Sequence, residues 1–136
     1  SSGHCVEAAQ RLLEAKERLQ VGSEMWACAT ARAFNMLLQE ACAEVVKPEW
    51  WDDEGLKALS ARVVRAAPDD VSANQMRADV LCGWQDDAWV AGPRSAAELM
   101  EAATHLARAA ALCAAPAMKE LLAENAEKCR SLADAM

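Results

Sequence analysis

Four of the five tryptophans fall in two short acidic segments, Glu49-Trp50-Trp51-Asp52-Asp53-Glu54 and Trp84-Gln85-Asp86-Asp87-Ala88-Trp89. An indole offers a large apolar face and one N–H donor, and carboxylates beside it favour a cation, so the combination suits recognition of a basic or amphipathic segment. The competing use is structural, an indole folded back to fill gaps between helices. One tryptophan of each pair is expected to serve the core and the other to face solvent. That leaves whichever of Trp51 and Trp89 faces solvent, first of all in the longer second segment, with Asp86 and Asp87 as candidate partner-binding residues.

Other residues that could carry chemistry are poorly arranged for it. Cys5, Cys28, Cys42, Cys82, Cys113 and Cys129 contain no Cys-x-x-Cys pair, whereas zinc sites use closely spaced ligands. Most fall in helical apolar stripes, where a thiol behaves as a small hydrophobe, so buried reduced thiols and a reducing intracellular compartment are expected. His4 lies near the start of the chain and His105 on the charged side of its helix, and both read as surface histidines. There is no phosphate-binding glycine loop, no Gly-x-Ser-x-Gly elbow and no His-Glu-x-x-His helix. The runs Asp52-Asp53-Glu54, Asp69-Asp70 and Asp86-Asp87 lack the alternating oxygen ligands of a calcium loop. Two of the three stand before helices, where carboxylates cap amides and oppose the dipole. No catalytic residue, metal or cofactor is expected.

The chain has 136 residues, enough for one core, with 54% hydrophobic and 26% charged residues. Its net charge of −7, with no local Lys/Arg cluster, argues against nucleic acid and anionic membranes as partners. The most apolar uncharged run, 109–118, is too short to span a bilayer and contains Pro116. The opening Ser1-Ser2-Gly3 reads as a terminal remnant, and 4–136 as a single all-helical domain.

Abundant alanine, no tyrosine and one phenylalanine point to helices rather than strands. Helix one is expected over 4–21, with Cys5, Ala8, Leu12, Ala15 and Leu19 in one stripe. Gly22 stops it and Ser23 caps a second helix running to about 46. Trp26, Phe34, Leu37, Leu38 and Val45 with many alanines cover most of that second helix, which should be the central one. Asp52 or Asp53 caps a third helix to about 67, with Leu56, Leu59 and Val63 inward. Asp69-Asp70 begins a fourth over 71–82, closed by Gly83.

Ser95-Ala96-Ala97-Glu98 is a capping box, and the helix it starts turns Leu99, Ala103, Leu106, Ala110 and Cys113 inward. Pro116 opens the last helix, with Met118, Leu122, Cys129, Leu132 and Met136 inward. Six antiparallel helices as three hairpins follow, in a repeat array or a compact alanine-rich bundle.

Ala111-Leu112-Cys113-Ala114-Ala115-Pro116 resembles the end of a tetratricopeptide repeat, and Val63-Val64-Arg65-Ala66-Ala67-Pro68 fits the same ending more loosely. Asp69-Asp70-Val71-Ser72-Ala73 is similar to the run into a following repeat, with Ala78 and Leu81 at its small and large positions. The resemblance covers about half the chain, and the second Trp segment contributes to a spacing longer than that repeat's period of about 34 residues. It implies helix pairs stacked into a concave surface that holds a peptide or partner helix. Family members that clamp a terminal carboxylate use Lys, Asn and Arg, and here Asn74 and Arg77 stand in a comparable helix with no lysine nearby.

The expected function is a noncatalytic helical-repeat interaction or scaffold module for a protein or peptide partner. The alternative is a structural accessory domain or subunit of a larger enzyme or assembly.

Overall fold

A computed structural model describes residues 2–38, 48–84 and 89–136, without the side chains of 2–6 and 9. Over these residues the chain is all-α: α1 (Ser2–Arg18), α2 (Glu24–Leu37), α3 (Asp53–Ala66), α4 (Val71–Cys82), α5 (Ala96–Leu112) and α6 (Pro116–Asp134). Short polar side chains fix most of the starts, because the first turn of a helix leaves amides without carbonyl partners. Ser23 Oγ accepts from the Trp26 amide at 3.1 Å, Asp52 Oδ1 from Gly55 at 2.7 Å and Asp70 Oδ2 from Ala73 at 2.9 Å. Ser95 and Glu98 exchange both bonds of the capping box. Pro116 sits in the first turn of α6, where its missing amide costs nothing. Gly83 ends α4 at φ +67°, a backbone conformation that strains a side chain.

Consecutive helices pack on one another, and α2 also reaches α4. The expected second helix is present as α2 up to Leu37; its continuation, Val45 included, lies outside the described residues. Asp86 and Asp87 lie outside them too.

Two apolar clusters form. The first joins Trp26, Phe34 and Leu37 of α2 with Leu56, Leu59 and Val63 of α3, the indoles of Trp51 and Trp89, and Ala73, Met76 and Val80 of α4. The second joins Ala78, Leu81 and Cys82 of α4 with Leu106 and Ala109 of α5 and Leu122, Ala126 and Cys129 of α6. Thus α4, not α2, is the helix both clusters share. Its residues are buried nearly all round, which erases the one-sided stripe that marks a surface helix.

The face of α6 also differs from expectation. Leu122, Ala126, Cys129 and Ala133 are buried, while Met118, Leu132 and Met136 are exposed together with Leu121. Among the described residues α5 and the end of α4 supply the buried contacts of this helix, so a narrow stripe suffices and alanines fill much of it. On α1, Leu13 and Leu19 pack against the first cluster.

Candidate functional site

Neither Trp51 nor Trp89 faces solvent, which corrects the expectation that one of them would present a surface: they are 9% and 6% exposed. Both rings pack on Phe34, at centroid distances of 5.3 and 6.1 Å, and meet each other edge to face at 6.1 Å. A polar fastening holds Trp89 and the residues that follow it. Asp52 caps α3, which frees Asp53 beside it to accept from Trp89 Nε1 at 3.0 Å and from the Gly92 amide at 3.2 Å. Arg94 closes the same carboxylate with Nη2–Oδ1 at 2.6 Å and Nη1–Oδ2 at 3.1 Å, and also donates to the Val80 carbonyl. The Arg94 bonds, with those from Trp89 and Gly92, hold the Asp53 carboxyl well below the usual carboxylate range despite its burial.

Asn74 and Arg77 are likewise engaged inside the chain rather than displayed. Asn74 is fully buried, its Nδ2 donating to the carbonyls of Pro68 and Asp70, both at 2.9 Å. Its Oδ1 therefore faces His105 Nδ1 at 2.9 Å, which makes that nitrogen the protonated one. His105 is half-buried rather than a free surface group, and desolvation lowers its pKa, against the attraction of Glu101. Arg77 reaches from α4 to Glu101 of α5 and to Lys57 and Ser60 of α3. Charge-assisted bonds of this kind tie three helices together.

The open feature lies on the other side of the first cluster. Lys16 of α1, Val21 of the following turn, Trp26 of α2, Trp50 and the α3 residues Gly55, Ala58, Leu59 and Arg62 line a cleft of about 270 Å³. Trp50 is half-buried and packs its ring at 5.8 Å from Trp51, so its neighbour anchors it. Gly55 is the residue that lets it sit there: a Cβ on Gly55 would stand 2.4 Å from the Trp50 carbonyl oxygen.

Lys16 Nζ lies 5.3 Å from the Trp50 ring centre, and the Arg62 guanidinium 5.5 Å from that of Trp26. Both are within cation–π range. Burial lowers the Lys16 pKa, with Glu17 opposing and the Arg62 charge acting in the same direction as burial. Trp26 is 1% exposed, and its Nε1 has no hydrogen-bond partner among the described residues. A buried N–H left alone is uncommon.

The sequence favours the second Trp segment and the indoles of Trp51 and Trp89, whereas the cleft holds Trp50 of the first segment. Trp50 was visible as half of a pair, but Lys16 and Arg62 lie on different helices, and no spacing along the chain announces that they share a cleft.

The fold also brings together two groups that sequence separated. Cys82 Sγ and Cys129 Sγ are 3.1 Å apart, joining α4 to α6, and both thiols are buried and pushed up in pKa by desolvation. Asp79, one turn before Cys82, is raised to about 7 by desolvation. Among the described residues no three His, Cys, Asp or Glu side chains converge as a metal site would require, and no helix is long and apolar enough to cross a membrane. The chain matches no protein-family model, no curated protein and no solved structure.

Proposed function

We propose that this chain is a noncatalytic helical-repeat interaction module, tetratricopeptide-like in stacking helical hairpins, that docks an amphipathic segment of a protein partner. The observation that carries this reading is the cleft between α1 and α3, where two indoles and two cations border open space. Indoles and guanidinium groups are the side chains that dominate binding energies when a partner covers them. At about 270 Å³ the cleft is slightly below the range of roughly 300–1,000 Å³ common for small-molecule sites, and it suits one or two side chains of a peptide. The net charge of −7 favours a segment that is neutral or basic outside the cleft.

The test is a display selection of short random peptides on the full chain, counter-selected with Ala58→Trp. Ala58 is exposed on α3 and lines the cleft, so the larger ring fills the space without disturbing the core. Enriched peptides are expected to bind the wild-type chain and to lose binding to the filled variant. Peptides that bind both equally would overturn the reading.

The second reading, a structural accessory domain or subunit, draws on Met118, Leu121 and Leu132, which stand 41%, 49% and 43% exposed along α6. Apolar side chains displayed along one helix are the usual signature of a surface covered in an assembly. Loss of a native complex on changing Leu121 and Leu132 to Glu, with cleft variants without effect, would favour this alternative.

A further inference from the structure

We propose that the α1–α3 cleft is a receptor for a single carboxylate, supplied by a Glu or Asp of the partner segment next to an apolar residue. This rests on the interaction-module reading and specifies its occupant.

The argument is one of charge and of surroundings. Arg77, Arg94 and Lys57 each have a carboxylate within ion-pair distance. Lys16 and Arg62 have none among the described residues, although the chain carries 21 acidic residues against 14 basic ones. Arg18, Arg32 and Arg65 also lack one and are exposed, as Arg62 is, but Arg62 lines the cleft and lies over the Trp26 ring, whereas they do not line it. Lys16 is half-buried and shares its cleft with a second positive charge. Two like charges facing one space repel, and an anion between them would relieve the repulsion while gaining charge-assisted hydrogen bonds from both.

The rest of the lining is apolar: Val21, Trp50, Ala58 and Leu59. A free inorganic anion would leave those surfaces wet, so the fit is to a carboxylate with an apolar neighbour. Acidic tracts are disfavoured by the overall negative charge, whereas one carboxylate feels mainly the two cations within a Debye length of about 8 Å. The receptor is also separate from α4, which carries Asn74 and Arg77, the clamp-type residues implied by the repeat resemblance.

The experiment uses an array of synthetic peptides in matched pairs that differ only by Glu or Gln beside a leucine or tryptophan, assayed on the full chain. Sodium octanoate serves as the free-carboxylate arm. Wild-type protein is expected to bind the Glu member about tenfold more tightly at physiological salt. Lys16→Met with Arg62→Met keeps the aliphatic stems and should abolish the preference, and Ala58→Trp should abolish binding of both members.

Equal, Ala58→Trp-sensitive binding of Glu and Gln peptides would overturn the carboxylate receptor and leave the docking reading standing. Octanoate competing at or below the peptide's own dissociation constant would overturn the choice of a peptide carboxylate. No cleft-dependent binding by any peptide would overturn both readings.

Discussion

Arg94 and Asp53 face each other as a two-pronged ion pair, joining the segment before α5 to the first turn of α3 across 41 residues of sequence. Their side chains are 7% and 19% exposed. The same aspartate holds the Trp89 indole, so one carboxylate decides whether the second connector's aromatic residue is core or surface.

Replacing Arg94 with Met leaves the partly buried Asp53 with only the longer Lys57 contact at 3.8 Å as countercharge, and the expected loss of stability is about 1–3 kcal/mol. Asp53 also loses the guanidinium that orients it toward the Trp89 indole. Urea unfolding followed by tryptophan emission should report a lower midpoint, with a red-shifted native spectrum as water reaches an indole. An unchanged midpoint would mean that the pair contributes nothing.

Asp79 predicts an unusual pH dependence. Its folded pKa of about 7 stands above its unfolded value near 4, so its contribution to stability is complete below the unfolded value and disappears as pH rises through 7. Asp79→Asn should be close to neutral at pH 4 and more stable than wild type at pH 8 by roughly 1–2 kcal/mol, discounted for partial exposure. His105 has a lowered pKa and weakens the fold as pH falls, the opposite direction. Comparing the two proteins at each pH cancels that contribution, and parallel curves would contradict the assignment.

Gly55→Ala should act on the cleft through the backbone. With its new methyl 2.4 Å from the Trp50 carbonyl, the connector must shift. We expect a stability loss of about 1–3 kcal/mol, as for other overpacked sites. Trp50 should also become more accessible to acrylamide quenching. A variant with native stability and native quenching would show that the close approach is not a constraint.

The thiols should separate by reactivity. Cys82 and Cys129 are buried with raised pKa values, whereas Cys113 is partly exposed. Iodoacetamide under native conditions, read by peptide mass spectrometry, should modify Cys113 at least tenfold faster. Equal rates would mean that the α4–α6 contact opens readily.

The helix starts were legible because caps are local: Ser23, Asp52, Asp70 and Ser95 each act within three residues of themselves. The stripe of α3 was legible for the same reason. What sequence could not supply was the partner of each face. Met118 and Leu132 share the periodicity of Leu122, and only the limited cover over α6 leaves them outside. Asp53 and Asp52 are chemically alike, yet one caps and the other ties a distant loop. Lys16 and Arg62 acquire meaning only once α1 and α3 stand on either side of Trp26.

The most direct test of the docking account is a two-dimensional proton–nitrogen spectrum of the indole N–H groups, recorded while the Glu member of a matched peptide pair is titrated into the full chain. Five tryptophans give five resolvable signals that can be assigned by single substitution. The account predicts that Trp50 and Trp26 move with saturation while Trp51, Trp89 and Trp84 hold still. Shifts confined to Trp84, or no shift at a peptide concentration that binds, would contradict it.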